Sequence, residues 1–529
     1  MSRVLVTEKL AESGLDAMRS AGLEVDVQLG LSPEELLGAV KGAHALIVRS
    51  ATKVTAAVID AGDELVVVGR AGIGVDNIDV EAATRRGVMV VNAPNSIALA
   101  NAEHTMALLL AMARNIAQAD RDLHAGNWNR TRWVGVEVHD KTLGIVGLGR
   151  VGVLVAQRAR AFGMRIVGRE LFMSDDRARQ LGVELMPTLE ALVSEADFLV
   201  LAVPKLPENV GMIDADLLRH AKPSLRIVNT SRGGLVDEAA LAEAIAEGRV
   251  AGAALDVFDE EPLTSSPLLG LDQVVVTPHL GASTSEAQDK AGQTIAEQVV
   301  LALRGSFVPF AVNLMASEAN ASVQPFMPLA ERLGNLFTAL AGGVVDTLEI
   351  SYEGEIAGYD CRVLTLAILK GVLSPVLDEP VSFVNAPQLA EARGITVRES
   401  SSSSARDYVN LVELRGHSPN GATTHVAGTL YGKQDAPRIV AIDDYTVDLA
   451  PSSHMLVVRN QDTPGMIGTV CTIVGVDNGI NIDEFDLGKG PAGDKPLMVL
   501  STSTAVPAEV VTQIRAVDGI VDAHAIELG

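Results

Sequence analysis

One glycine-rich segment constrains the fold of this chain more than any other feature. Residues 140–152 read DKTLGIVGLGRVG, so an apolar run is followed by Gly147, Gly149 and Gly152 in the spacing G-x-G-x-x-G. An apolar strand, a tight glycine turn and the start of a helix are typical of a parallel α/β sheet that binds a dinucleotide. Arg150 and Val151 lie in the same turn, where free amides at the helix start would face the cofactor pyrophosphate.

The hydrophobic pattern predicts two doubly wound parallel sheets in the first 315 residues. Residues 1–98 alternate short apolar strands with helices, and six further apolar runs separated by helices begin at Lys141. Helices predicted over 99–117 and 283–303 would carry the chain between the two sheets. We therefore assign residues 1–98 and 283–315 to a substrate domain and residues 99–282 to a nucleotide-binding domain of the Rossmann type, with a cleft at their junction.

The remaining chain predicts two further domains of α+β character. Residues 316–452 mix helical and alternating patterns, and residues 453–529 read as βαββαβ. Five serines at 400–404 are interpreted as a solvated loop, with a phosphorylation site as the alternative.

Composition excludes several classes of partner. The formal net charge is -25, which argues against broad nucleic-acid binding, because phosphate contacts need a basic face. No apolar run approaches the ~20 residues that a membrane span requires, and the first residues resemble a strand more than a leader, so we expect a cytoplasmic protein without membrane contact. Two cysteines are interpreted as reduced thiols, with a disulfide as the alternative, and their spacing predicts no metal site.

An acidic residue stands where the cofactor ribose is expected. Glu170 ends the strand that follows the glycine turn and lies 18 residues beyond Gly152. A carboxylate there favours NAD, because it repels the 2′-phosphate of NADP, whereas the neighbouring Arg169 leaves NADP as the alternative.

Three side chains at the ends of later strands suit proton and hydride chemistry. Arg232 lies in NTSRGG and its planar fork matches a carboxylate, while His279 in TPHLGAST can exchange a proton near neutral pH. Glu261 in LDVFDEEP can bond the far imidazole nitrogen and orient the ring. Each residue alone has a structural explanation, but together after a nucleotide-binding turn they predict oxidation of a 2-hydroxy acid.

These motifs, in this order, resemble the D-2-hydroxyacid dehydrogenase family. The resemblance covers roughly residues 1–313 and implies that Arg232, Glu261 and His279 are the catalytic residues. It also implies that Thr230, Asp256, His279 and Gly281 contact the cofactor. The family often has a histidine where this chain has Ala202, so a contact near the nicotinamide is expected to be missing.

Four segments, three of them in the substrate domain and one in the nucleotide-binding domain, are similar to the branch of this family that acts on 3-phosphoglycerate. They are VRSATK at 48–53, GRAGIGVDNID at 69–79, NAPNS at 92–96 and WNRTRW at 128–133. By this resemblance the substrate contacts are Arg49, Ser50, Gly72, Ile73, Gly74, Asn77, Arg130 and Arg132. A solvated basic patch is the alternative for Arg130 and Arg132. The implied reaction is oxidation of 3-phospho-D-glycerate to 3-phosphohydroxypyruvate with NAD, the first step of L-serine synthesis.

The C-terminal segment resembles an ACT domain, a small regulatory module that binds amino acids. The residues NQDTPGMIG at 460–468 and GINI at 479–482 carry this resemblance. It implies that L-serine binds at Asn460, Asp462 and Asn481 and inhibits a homotetramer, with a purely oligomerising domain as the alternative. Two other functions stay open: a hydroxypyruvate or glyoxylate reductase, and a non-catalytic corepressor-like sensor of NAD(H).

Overall fold

Four β-sheets, each with its own helices, form the part of the chain that the structure describes. The structure is a computed structural model and describes residues 1–528 except 172, 315–319, 321, 406, 418–422, 489 and 491–495. The predicted boundary between residues 315 and 316 therefore lies outside the described residues, and the four-domain division stays a prediction. Among the described helices, none combines the length and the apolar character needed to cross a bilayer.

The first sheet is wholly parallel and has the order β2-β1-β3-β4-β5. Its strands are β1 (Arg3–Val6), β2 (Glu24–Val27), β3 (Ala45–Val48), β4 (Val67–Arg70) and β5 (Met89–Val91). The helices between them are α1 (Glu12–Ser20), α2 (Pro33–Ala39), α3 (Ala56–Ala61) and α4 (Val80–Arg85). The central strands are buried on both faces, as expected for a parallel sheet covered by helices.

Two helices lead from the first sheet to the second. They are α5 (Ala98–Ala113) and α6 (Ile116–His124), where the sequence predicts one helix over 99–117. The single-helix prediction is wrong because Asn115 has a φ of 54°, a left-handed conformation that interrupts the helical hydrogen bonds.

The second sheet is also parallel and has the order β12-β11-β10-β9-β6-β7-β8. Its strands are β6 (Thr142–Val146), β7 (Arg165–Arg169), β8 (Glu184–Leu185), β9 (Phe198–Leu201), β10 (Arg226–Asn229), β11 (Gly252–Leu255) and β12 (Val274–Val276). The helices are α7 (Arg150–Ala161), α8 (Asp175–Leu181), α9 (Leu189–Glu195), α10 (Ala215–Leu218) and α11 (Glu238–Ala246). The strand order reverses between β6 and β9, which places a ligand crevice at the carboxyl ends of these strands. The two-residue edge strand β8 is a seventh strand that the sequence did not predict.

The helix α12 (Ser285–Leu303) returns the chain to the first sheet. Ile295 and Val299 join the core formed with β4, and α12 crosses α1 so closely that a Cβ on Gly14 would lie 2.6 Å from the Gly292 oxygen. The chain therefore crosses twice between the first two sheets, as predicted.

The third sheet mixes parallel and antiparallel pairs in the order β14-β13-β15-β16-β17-β18. Its strands are β13 (Thr347–Gly354), β14 (Thr396–Ser402), β15 (Asn410–His417), β16 (Thr423–Tyr431), β17 (Ala436–Ile442) and β18 (Tyr445–Leu449), and its helices are α13 (Met327–Ala341), α14 (Arg362–Leu373) and α15 (Ala386–Ala392). Residues 400–402 of the serine run lie in the edge strand β14, paired in parallel with β13, so the loop prediction is wrong there. These serines are nevertheless exposed.

The fourth sheet is antiparallel and has the order β20-β21-β19-β22. Its elements are β19 (His454–Asn460), α16 (Met466–Cys471) extended by a π-helical turn (Thr472–Asp477), β20 (Ile482–Gly488), β21 (Leu497–Thr502), α17 (Ala508–Arg515) and β22 (Ile520–Glu527). This is the βαββαβ arrangement that the sequence predicts. The predicted fold class, two parallel α/β sheets followed by α+β and βαββαβ units, is confirmed.

Candidate active site

A cavity of about 470 Å³ lies between the loops of the first two sheets. Loops after β3, β4 and β5 line one side, and loops after β6, β9, β10 and β12 line the other. Ligand sites of parallel α/β sheets lie at these carboxyl ends of the strands. Among the predicted residues, Arg49, Ser50, Ile73, Gly74, Arg150, Val151, Thr230, Arg232, His279 and Gly281 line the cavity.

The imidazole of His279 is held by Glu261. His279 Nδ1 lies 2.7 Å from Glu261 Oε2, and Glu261 Oε1 accepts a hydrogen bond from the Phe258 amide. Burial alone would raise the pKa of Glu261, but the hydrogen bonds from His279 and Phe258 outweigh it and lower that pKa. Glu261 is therefore ionised and fixes the ring through Nδ1, which leaves Nε2 for a substrate proton.

The loop that carries His279 rests on a buried carboxylate. Asp256 has no exposed surface and accepts hydrogen bonds from Thr277 Oγ1 and from the amides of Leu280 and Gly281 at 2.6–2.8 Å. His279 itself has a φ of 55°, a conformation that costs a non-glycine residue about 1 kcal/mol. Asp256 therefore supports this loop, and the contact with the cofactor that the resemblance implies for it stays a prediction.

Arg232 spans from the second sheet to a loop of the first. Its Nε donates to Asp76 Oδ2 at 2.9 Å and its Nη1 to the Ser231 carbonyl at 2.7 Å. Nη2 lies 1.8 Å from the point where a Cβ on Gly74 would stand, so only glycine leaves room for the guanidinium. The Asn229 side chain closes the turn by donating to the Arg232 carbonyl.

Arg70 is a cavity residue that the sequence interpretation missed. Burial, together with the positive charges of Arg232 and Arg49, lowers the pKa of Arg70 to about 10. Its Nε is buried and has no hydrogen-bond partner among the described residues. A Cβ on Gly72 would overlap the Arg70 guanidinium, which explains that glycine. The sequence could have indicated Arg70, because it is a basic residue at the end of a predicted parallel strand and lies directly before the glycine loop at 72–74.

The other predicted substrate residues divide into two groups. Asn77 supports the Arg49 loop, because its Nδ2 donates to the carbonyls of Arg49 and Thr52. Arg130 and Arg132 do not line the cavity of this chain, and the contact with a substrate phosphate that the resemblance implies for them stays a prediction. Arg132 instead pairs with Asp272 at 2.6 Å and stacks on Trp133.

The glycine turn has the shape that a dinucleotide needs. Gly147 has a φ of 92°, and a Cβ on Gly152 would lie 2.0 Å from the Gly147 oxygen. A Cβ on Gly149 would meet nothing within 4 Å, so open space lies above the start of α7. Glu170 Oε2 accepts a hydrogen bond from the Leu148 amide, which places its carboxylate beside the turn. The residues present therefore fit NAD: the open space at Gly149 would accept the pyrophosphate, and the Glu170 carboxylate would face the ribose.

In the described part of one chain, the side-chain amides of Asn460 and Asn481 donate hydrogen bonds to residues outside the predicted effector set. Asn460 is buried and its Nδ2 donates to the Gln461 carbonyl, whereas Asp462 and Asn481 are exposed. Asn481 donates to Asp483 at 2.6 Å.

Comparison with known proteins agrees with this geometry. Residues 106–281 match the family model of the D-isomer specific 2-hydroxyacid dehydrogenase NAD-binding domain, and residues 322–443 match that of the D-3-phosphoglycerate dehydrogenase intervening domain. The chain is 43% identical over 530 residues to D-3-phosphoglycerate dehydrogenase of Methanocaldococcus jannaschii, covering 100% of both chains. It is 45% identical to that of Mycobacterium tuberculosis, covering 99% of this chain and 98% of the relative. A solved structure of a Thermus thermophilus protein superposes with a TM-score of 0.55 at 38% identity, over 59% of this chain and 99% of that one. This chain therefore belongs to the D-3-phosphoglycerate dehydrogenases, a family of NAD-dependent oxidoreductases.

Proposed function

We propose that this chain oxidises 3-phospho-D-glycerate to 3-phosphohydroxypyruvate with NAD, the first step of L-serine synthesis. The observation that carries the proposal is a cluster of three arginines, Arg49, Arg70 and Arg232, beside the His279–Glu261 pair. The substrate is a small molecule with a carboxylate at one end and a phosphate at the other. Two anionic ends need separate cations, and the cavity supplies them.

The roles of the side chains follow from their positions. Arg232 binds the substrate carboxylate and the oxygen on carbon 2, while Arg70 and Arg49 bind the phosphate. The Nε2 of His279 takes the hydroxyl proton, and ionised Glu261 stabilises the imidazolium that forms. Bound NAD supplies the acceptor for the hydride that leaves carbon 2.

The phosphate group of the substrate distinguishes this function from the reductase alternative, and the proton acceptor distinguishes it from the sensor alternative. Glyoxylate and hydroxypyruvate have no phosphate and would leave the half-buried Arg70, whose Nε has no hydrogen-bond partner among the described residues, without an anionic ligand. A corepressor-like sensor would have no use for an oriented proton acceptor. The arginine cluster therefore favours the phosphorylated substrate.

The direct test follows NADH absorbance with 3-phosphohydroxypyruvate and, in parallel, with hydroxypyruvate. We expect kcat/KM to be about 10- to 100-fold higher for the phosphorylated acid, since a charge-assisted pair contributes about 1.5–3 kcal/mol. His279→Gln should lower kcat by roughly 10²–10⁴-fold. Equal use of both acids would refute the substrate assignment, and retained NADH binding without any turnover would support the sensor alternative.

We also propose that the chain forms a homotetramer inhibited by L-serine. An exposed apolar set lies on α6 and the following segment: Ile116, Leu123, Trp128 and Val134. Burial of such a surface against a second copy would stabilise a dimer, and pairing of the C-terminal domains would join two dimers. That pairing would bring exposed Asp462 and Asn481 of neighbouring subunits together around one serine.

Light scattering and inhibition assays test these two points separately. Trp128→Glu should produce a smaller species, with Tyr359→Glu, exposed elsewhere on the chain, as the control. Asp462→Ala should abolish inhibition by L-serine while leaving the tetramer intact. A monomeric wild-type chain, or turnover indifferent to serine, would refute the corresponding point.

A further inference from the structure

The helix α5 contacts both loops that carry the catalytic residues. Asn101 Nδ2 donates to the Thr230 carbonyl, and Thr105 Oγ1 lies 2.7 Å from Thr230 Oγ1, two residues before Arg232. His104, the residue before Thr105, has its Nε2 at 3.1 Å from Thr277 Oγ1 and at 3.2 Å from Asp256 Oδ1. Thr277 lies two residues before His279. One face of α5, a crossing between the two domains, therefore meets both loops.

The hydrogen-bond pattern fixes the tautomer of His104. Thr277 Oγ1 lies 2.6 Å from Asp256 Oδ1, and the carboxylate can only accept, so Thr277 donates its single proton there. The same oxygen can then only accept from His104, which must carry a proton on Nε2. His104 is therefore a donor to the pair formed by Thr277 and Asp256.

Asp256 connects His104 to the His279 loop through hydrogen bonds. Its carboxylate is fully buried and accepts the amides of Leu280 and Gly281, and the His279 amide donates to its main-chain carbonyl at 2.9 Å. Burial would raise the pKa of Asp256, but His104, Thr277 and the two amides outweigh it and lower that pKa. The charged carboxylate thus holds a loop whose histidine has a φ of 55°.

We propose that His104 is a positioning residue, which donates to Asp256 and Thr277 and thereby fixes the loop that presents His279 to the substrate. It does not line the cavity, so it acts through the loop and not by touching the reactants. The consequence for turnover rests on the proposed function, whereas the consequence for the loop does not.

Two substitutions separate the donor from the ring. His104→Leu removes the donor and keeps an apolar filling, while His104→Gln places an amide donor near the position of Nε2. We expect H104L to lower kcat for 3-phosphohydroxypyruvate by about 10–100-fold, with KM changed less than threefold and a larger isotope effect with deuterated NADH. H104Q should recover kcat to within about threefold of the wild type.

Matched controls exclude a general loss of stability. Glu103→Gln alters the neighbouring exposed residue, which contacts Arg158 and neither loop. Gln118→Leu removes a buried donor of α6, which bonds the Asp272 carbonyl away from the cavity. Both should leave kcat unchanged, even where Q118L lowers the thermal midpoint as much as H104L does.

A crystal structure of H104L provides a readout independent of turnover. We expect residues 277–281 to leave the wild-type path and the His279–Glu261 bond to lengthen beyond hydrogen-bond range. An unchanged loop with unchanged kcat would overturn the inference, as would H104Q behaving like H104L. If the wild-type chain reduces no 2-keto acid, the proposed function fails, and the loop in the variant still decides this inference.

Discussion

Replacing Arg70 by methionine should stabilise the ligand-free chain and impair its activity on the phosphorylated substrate. The fall of the Arg70 pKa from 12.5 to about 10 corresponds to ~3 kcal/mol against the charged form. A cation whose pKa is lowered on folding carries this penalty at every pH below the folded value, so it is fully present at neutral pH. Solvent screening and the lost packing reduce the expected gain of R70M to about 1 kcal/mol in the free energy of unfolding.

The same substitution removes a charge-assisted donor from the phosphate. A loss of about 3 kcal/mol would raise KM for 3-phosphohydroxypyruvate by roughly 10²-fold. KM for hydroxypyruvate, which has no phosphate, should change little. Thermal unfolding of the ligand-free chain and NADH-coupled kinetics with both acids measure the two effects.

A second arginine of the same domain provides the control for loss of one positive charge. Arg19 lies in the same domain on α1, where it pairs with Glu12 and Asp16 away from the cavity. Arg19→Met should alter neither KM. A lower thermal midpoint for R70M, or an equal rise of KM for both acids, would refute the view that Arg70 is an uncompensated charge held for the phosphate.

Three further substitutions test other parts of the site and fold. Glu261→Gln should lower kcat by about 10–100-fold in steady-state assays, because a neutral amide cannot stabilise imidazolium; an unchanged kcat would contradict this. Gly152→Ala should abolish NADH binding measured by fluorescence, because its Cβ would lie 2.0 Å from the Gly147 oxygen, whereas Gly270→Ala, with open space around it, should bind normally. Glu413→Gln should destabilise the fold by about 1–2 kcal/mol, because Glu413 pairs with His425 at 2.8 Å. The hydrogen bond from His425 lowers the pKa of Glu413 from 4.5 to about 2, so that contribution is lost as pH falls through this range. Burial would lower the pKa of His425, but Glu413 raises it above 6.5, so the contribution of His425 to the free energy of unfolding is lost as pH rises. Denaturant unfolding should therefore show the largest destabilisation by E413Q between pH 4.5 and 6.5. A destabilisation that does not depend on pH would count against the pair.

Local patterns were sufficient for most of the fold. Buried parallel strands appear in the sequence as continuous apolar runs, and the glycine spacing marks one strand-to-helix turn. The secondary-structure predictions were wrong where backbone pairing between strands, or the dihedral angle of a single residue, overrides the hydrophobic pattern. The edge strand β8 has only two residues, Glu184 and Leu185, and Ser400 pairs through its backbone without any apolar alternation.

The site was predictable where function depends on residues in the loops that follow strands. Arg232, Glu261 and His279 were found in this way, and the structure brings Glu261 and His279 into contact. His104 gave no signal, because its partners lie 152 and 173 residues further along the chain and only the fold brings them together. Arg132 was assigned to the substrate by resemblance alone, and its pairing with Asp272, 140 residues away, is likewise a contact that only the fold creates.

The distribution of charge explains how an acidic chain can select a trianionic substrate. The whole chain has 67 acidic and 42 basic residues, yet the cavity is lined by five cationic side chains, Arg49, Arg70, Arg150, Lys205 and Arg232, and by a single carboxylate, Asp76. Exposed charges act over about 8 Å at physiological ionic strength, so the outer acidic surface contributes little inside the cleft. Asp76 is already bonded to Arg232 and orients that arginine instead of repelling the ligand. Burial lowers the pKa of the half-buried Arg70 in the ligand-free state, so an anion that reaches this side chain would offset that cost. If Arg70 binds the phosphate as proposed, selectivity for the phosphorylated acid follows from the position of this guanidinium, and the net charge of the chain does not oppose it.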